Sequence, residues 1–271
     1  MTISRPTHVV FLHGYTSPVE PSRETLIQAL HAAGINAELH TPIAPDGAAR
    51  IDPFNPEGAA SWFRYSTDLS ALVPQGIDYA NLQDVHDVMY SPWVSAGMEQ
   101  PALWELLTSI AGGDAANNVA LVGESQGGVM AALLGIEWNR QFPNNQLGWI
   151  GLVRTAPDPH TWQPRPMNEL KTFNFDANWD VIPPRYETRF CVVLGGDDPT
   201  YRTYTSIGAI GPLLVNNPVA SSDIQLHHAS NGNVDLHILA GVTHDSHEDQ
   251  VFAALAQSIV QMGQRSPFNV D

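Results

Sequence analysis

Val119-Ala120-Leu121-Val122-Gly123-Glu124-Ser125-Gln126-Gly127-Gly128 is the stretch on which the reading of the fold turns. An apolar run rich in β-branched residues and closed by glycine reads as a buried strand. Gly127 to Glu137 reads as the helix after it. Between them stands Gly-x-Ser-x-Gly, which in a strand-turn-helix setting is a nucleophile elbow, a strained turn that lifts the serine hydroxyl out at the edge of the sheet. Glycines flank the serine because a side chain there would collide with neighbouring backbone. Ser125 is therefore the candidate nucleophile, against the plainer reading in which its hydroxyl only caps the helix.

Working outward, the same alternation recurs. Val9 to Leu12 is a strand-like run ending at His13-Gly14, and Pro21 to Ala33 carries Leu26, Ile27 and Leu30 at helical spacing with Gly34 as its stop. Ile35 to Leu39 reads as a second strand. Glu99 to Ala111 places Leu103, Leu106, Leu107 and Ile110 on one helical face. Trp149 to Val153, Phe190 to Leu194 and Leu236 to Leu239 are further buried-strand segments, and Glu248 to Met262 is the last helix. Strands alternating with helices imply the α/β class, a mainly parallel twisted sheet covered on both faces. Its chemistry belongs at the C-terminal ends of the strands. Residues 1–271 read as one domain, interrupted about 156–185 and 201–233 by irregular segments. Long connections of this kind serve as lids or binding loops, and each has room for an extra helix or hairpin that the sequence does not place.

A serine hydroxyl is nearly inert at neutral pH and needs a base, which in turn needs a carboxylate to orient it. In the elbow architecture the order is Ser, acid, His. Leu194-Gly195-Gly196-Asp197-Asp198-Pro199 follows a strand and offers two acids; Asp198 is preferred and Asp197 is the other choice, the remaining one being left to cap the turn. For the base, His244 falls in the loop directly beyond the last strand, whereas His247 stands at the start of the last helix. His244 is preferred. The run His244-Asp245-Ser246-His247-Glu248-Asp249 also contains zinc-ligand residue types. With the elbow in place it is read without metal, no cofactor is implied, and the other histidines show no ligand spacing. The loop after Val9–Leu12 should supply one amide of an oxyanion hole, that of Tyr15, and Gln126, next after the nucleophile, the other. His13 reads as a structural histidine tying this loop down.

The chain has 28 acidic and 12 basic residues and a formal charge of −16, which repels phosphate backbones and anionic membranes. Nucleic acid is excluded as a partner. With 43% hydrophobic residues the chain has ample material for a core. A single cysteine, Cys191, excludes an intrachain disulfide. There is no apolar run long enough for stable membrane insertion, and the first residues do not resemble a secretory leader. A cytoplasmic location is expected. No heptad or apolar stripe marks an oligomer interface.

These motifs together resemble the phospholipase/carboxylesterase family of α/β-hydrolases, which includes acyl-protein thioesterases and small cytosolic carboxylesterases. The resemblance is carried by Gly-x-Ser-Gln-Gly-Gly at 123–128, His13-Gly14, Gly-x-Asp-Pro at 196–199 and Gly-x-x-His at 241–244. It is extended by Pro42-Ile43-Ala44-Pro45 and Ala60-Ser61-Trp62-Phe63. Two positions depart from the pattern: Arg64 stands where the family has Asp, and Glu124 where an aromatic residue precedes the serine. The resemblance implies an α/β-hydrolase fold and a small-molecule ester or thioester substrate. Cleavage of carboxylic esters through a Ser125-Asp198-His244 triad is the leading expectation. Removal of longer acyl chains, as by a thioesterase or lysophospholipase, is the second; a ligand-binding homologue with a silent site is the third. Trp62, Phe63, Arg64, Trp93, Trp162 and Trp179 are candidates for the pocket, as is Arg50 for an anionic group on the substrate.

Overall fold

Strands buried on both faces need unbroken apolar runs, and the centre of the sheet has them. The computed structural model describes residues 4–14, 19–44, 62, 101–112, 115–155, 188–198, 228–231 and 234–264. Its strands are β1 (His8–Leu12), β2 (Glu38–His40), β3 (Val119–Glu124), β4 (Trp149–Val153), β5 (Arg189–Gly195), β6 (His228–Asn231) and β7 (Val234–Leu239). Its helices are α1 (Val19–Ala32), α2 (Pro101–Ala111), α3 (Gln126–Gln141) and α4 (Glu248–Gln264), with a short 3-10 turn at Ala116–Asn118. The strands form one sheet in the order β2-β1-β3-β4-β5-β7-β6. All neighbours are parallel except β6 and β7, which are antiparallel.

Alternation along each strand divides the apolar side chains between two layers. Val9, Phe11, Val122, Trp149 and Val193 join one core with Leu26 and Leu30 of α1 and Phe252, Leu255 and Ile259 of α4. Within it Phe11 and Phe252 meet edge to face, with ring centroids 5.7 Å apart. Helix α3 packs over β1, β3 and β4 on the other side, and its small residues let it ride close. A Cβ at Gly135 would lie 2.5 Å from Ile150 Cδ1. Burying each such large aliphatic side chain contributes about 1.5–3 kcal/mol.

Three elements differ from the sequence reading by more than two residues. The second strand is Glu38–His40 rather than Ile35–Leu39, because Ile35 belongs to the end of α1. Gly34 takes φ 73°, its N–H donates to His31 O, and Ile35 N–H donates back to Leu30 O, the reciprocal pair that closes a helix on a left-handed glycine. Helix α3 continues past Glu137 to Gln141. Within the expected irregular segment 201–233, residues 228–231 form β6, the outer arm of a hairpin with β7. The rest of both expected insertions lies outside the described residues. Among those described, no helix is long and apolar enough to cross a membrane.

Candidate active site

The turn between β3 and α3 is tight enough that glycine is obligatory. Cβ atoms at Gly123 and Gly127 would fall 2.0 Å from Gly127 O and 2.1 Å from Leu12 O. Ser125 sits at the apex with φ 52° and ψ −119° and makes no capping bond to α3, so the helix-cap reading does not describe it. Such a left-handed backbone is strained for any residue but glycine, and it persists where the surroundings over-determine it. Here Ser125 N–H donates to Val153 O at 2.8 Å and Gly128 N–H to Ser125 O at 2.9 Å.

The hydroxyl is directed at His244. Ser125 Oγ and His244 Nε2 are 3.0 Å apart, and His244 Nδ1 is 2.9 Å from Asp198 Oδ2. A carboxylate only accepts, so Nδ1 carries the proton donated to Asp198, and the Nε2 lone pair is left for the serine O–H. The Asp198 side chain is 1% exposed and that of His244 18% exposed.

The loops carrying Asp198 and His244 are laced together. Gly196 N–H donates to Leu239 O and Asp197 N–H to Val242 O. The Asp197 carboxylate accepts the Gly241 N–H at 3.0 Å, so Asp197 caps a turn and Asp198 faces the imidazole. Beyond His244, Ser246 Oγ accepts from both Thr243 N–H and Thr243 O–H at 2.8 Å. His247 is exposed just before α4, with its Nδ1 3.5 Å from Gln250 Nε2. No metal-ligand group forms among residues 244–249 in the described residues.

A second network beneath the site escaped the sequence reading. Arg154, at φ 49° after β4, holds Glu124 with Nη1 3.0 Å from Oε1, and its Nη2 donates to Ser246 O. Both side chains are almost wholly buried. Burial pushes the Glu124 carboxyl above its usual range, and Arg154 opposes that shift without cancelling it. The signal was Glu124 itself: an acid inside the elbow demands a buried cation.

On the β1 side, His13 Nδ1 lies 2.7 Å from Gly14 O, while its Nε2 accepts the Ala44 N–H at 3.1 Å. Burial holds the imidazole below its ordinary pKa. Trp62 is 2% exposed. Its indole N–H donates to His13 O at 2.7 Å, and its main-chain N–H donates to the Gln126 side chain at 2.8 Å. Trp62 thus braces the loop after β1 against the start of α3. Tyr15, Arg50, Phe63, Arg64, Trp93, Trp162 and Trp179 lie outside the described residues.

No protein-family model matches the chain, and no curated protein matches it by sequence. Among solved structures it is similar to Arabidopsis thaliana SOBER1, at 16% identity over 95% of this chain and 99% of that one, with a TM-score of 0.51. It is also similar to esterase PE8, at 20% identity over 94% and 92% of the two chains and a TM-score of 0.51. A third is YahD with malic acid, at 11% identity over 95% and 94% and a TM-score of 0.50. With the parallel sheet, the elbow after β3 and these likenesses, the chain has the α/β-hydrolase fold.

Proposed function

We propose that the chain is a serine hydrolase that cleaves carboxylic esters through an acyl-enzyme. The observation that carries this reading is the unbroken relay of Ser125 Oγ, His244 and Asp198 at 3.0 and 2.9 Å, begun from a serine in a strained backbone. The likeness to a protein named as an esterase supports the reaction class.

In the first half-reaction His244 Nε2 takes the Ser125 proton as Oγ attacks the ester carbonyl, and Asp198 holds the imidazolium in place. The developing oxyanion is received by amides at the start of α3 and after β1, assigned to Gln126 and Tyr15. The positive end of α3 favours negative charge there, and each well-aimed donor contributes roughly 3 kcal/mol. Collapse of the tetrahedral intermediate expels the alcohol, which takes its proton from His244. Water, deprotonated by His244, then attacks the acyl-enzyme and frees Ser125. Trp62 is assigned to bracing this apparatus rather than to lining the pocket.

The test is intact mass after incubation with a fluorophosphonate, on the wild type and on Ser125→Ala, followed by a p-nitrophenyl ester series of rising chain length. A single adduct that the variant lacks, with turnover of short esters, is the expected result. A folded wild type that takes no adduct and turns over no ester would refute the proposal and favour a ligand-binding role.

A further inference from the structure

The proposed acyl site occupies the C-terminal ends of the strands. At the N-terminal end of the same sheet a different chemistry is assembled from His8 on β1 and from Glu38 and His40 on β2. The parallel register sets His8 opposite Glu38, and residues two apart on a strand share a face, so Glu38 and His40 stand on one side together. His8 Nδ1 is 3.2 Å from His40 Nε2. Glu38 approaches those same two nitrogens, with Oε2 3.6 Å from His8 Nδ1 and Oε1 3.9 Å from His40 Nε2. A hydrogen bond between two imidazoles explains the first distance alone. One ligand atom from each of three side chains, all within 4.8 Å of one another, is the kind of set a cation requires, and among the described residues this is where it occurs.

The spacing suits a particular kind of ion. Around zinc, with ligand atoms at about 2.0–2.1 Å, two corners of a tetrahedron lie about 3.3–3.4 Å apart; the two imidazole nitrogens stand 3.2 Å apart, and the Glu38 carboxylate sets one oxygen 3.6 Å from the first and the other oxygen 3.9 Å from the second. Two imidazoles and one carboxylate are borderline ligands that favour zinc and its neighbours over calcium or magnesium. The imidazoles are half-buried, and Glu38, at 67% exposure, leaves a path from solvent. We propose that His8, Glu38 and His40 bind a divalent transition metal of the zinc type, with water in the fourth position. His8 opens β1 and His13 follows its last residue, roughly 16 Å away at the rise of a strand, so the ion acts apart from the serine chemistry. Its role is a clip. Strand β2 is three residues long and lies at the sheet edge, and its continuation delivers the Ala44 N–H to His13; the metal pins that strand to β1.

The experiment uses the full chain stripped with chelator, titrated with zinc by calorimetry and with cobalt(II) by visible absorption. His8→Gln, His40→Gln and Glu38→Gln are compared with the wild type and with His31→Gln, a change at an exposed histidine on α1. The wild type is expected to take one equivalent of zinc and to give the intense cobalt band of a four-coordinate site. Its Tm should rise by roughly 5 °C at a hundredfold excess over Kd. His8→Gln and His40→Gln should lose the band and the Tm rise, Glu38→Gln should weaken binding at least about tenfold, and His31→Gln should behave as wild type. If either histidine variant fails to fold, Glu38→Gln, a change at an exposed side chain, decides the matter. No stoichiometric binding by the folded wild type, or binding that survives Glu38→Gln unweakened, overturns the proposal.

Discussion

Arg154 reaches back from the end of β4 to Glu124, the residue before Ser125, and holds its carboxylate at 3.0 Å while donating to the carbonyl of Ser246, two residues after His244. One buried guanidinium thus ties the turn that carries Ser125 to the loop that carries His244. Arg154→Met leaves Glu124 buried without its partner and is expected to lower unfolding free energy by about 3–5 kcal/mol in a urea titration. The double variant Glu124→Leu/Arg154→Met should recover most of that stability, since an apolar pair can replace a buried ion pair. Ester turnover should stay depressed in the double variant, because the Ser246 carbonyl has then lost its bond to Arg154. Wild-type turnover would mean that Arg154 only neutralises Glu124.

The two adjacent acids have separable effects. Asp198→Asn removes the acceptor that sets the His244 tautomer, and kcat on a short p-nitrophenyl ester is expected to fall by about 10⁴. Asp197→Asn weakens a hydrogen bond to the Gly241 N–H and should cost roughly 1 kcal/mol of stability with kcat within a few-fold of wild type. Steady-state kinetics and thermal melts of the two proteins decide the assignment. The reverse pattern would exchange the roles.

Gly127 and Gly241 should respond differently to alanine. At Gly127 the new methyl would lie 2.1 Å from Leu12 O and 2.5 Å from His13 O, so the elbow cannot close. A loss of 3 kcal/mol or more is expected, roughly, with fluorophosphonate labelling abolished. Gly241 has φ 75° but nothing within 4 Å of its would-be Cβ, so its alanine variant should lose only about 1–2 kcal/mol of stability to backbone strain and keep its labelling. Equal losses at both positions would contradict this.

His13 gives a signed dependence on pH. Burial lowers its pKa below 6.5, so the stability it contributes is fully present above that value and is lost as pH falls through the lower folded pKa. The protonated ring can no longer accept the Ala44 N–H. His13→Gln should therefore melt below wild type at about pH 7.5, and the gap should narrow toward about pH 5. A constant gap in Tm would show that His13 does not titrate in this range.

The elbow and the loops that carry Asp198 and His244 were legible because each is local: a strand, a tight turn with glycines where no Cβ fits, and one side chain at the apex. Between the two adjacent acids the sequence offered a preference, Asp198, and the contacts differ: Asp198 lies 2.9 Å from His244 Nδ1, while the Asp197 carboxylate accepts the Gly241 N–H. What stayed hidden was long-range. Arg154 and Ser246 are 92 residues apart, and nothing near either announces the other. His8 and His40 are 32 residues apart, so no ligand spacing could appear until the β1–β2 register brought them together. Strand β2 was displaced by three residues because Ile35, apolar and β-branched, looks like a strand residue while its N–H closes the end of α1. Edge strand β6 is short and polar, and its hairpin with β7 carried no apolar run to mark it.

The place of β1 in the sheet also bears on how the chain reaches this state. Its neighbours are β2 and β3, and roughly 80 residues separate the end of one from the start of the other, so at typical synthesis rates about 4–16 s pass before the second can emerge. During that interval β1 and β2 can pair, but the other side of β1, with Val9, Val10 and Phe11, has no partner strand. Closing so long a loop is slow. Nascent chains of this protein are therefore expected to depend on chaperones until the elbow strand arrives, and to aggregate through β1 where translation stalls before it.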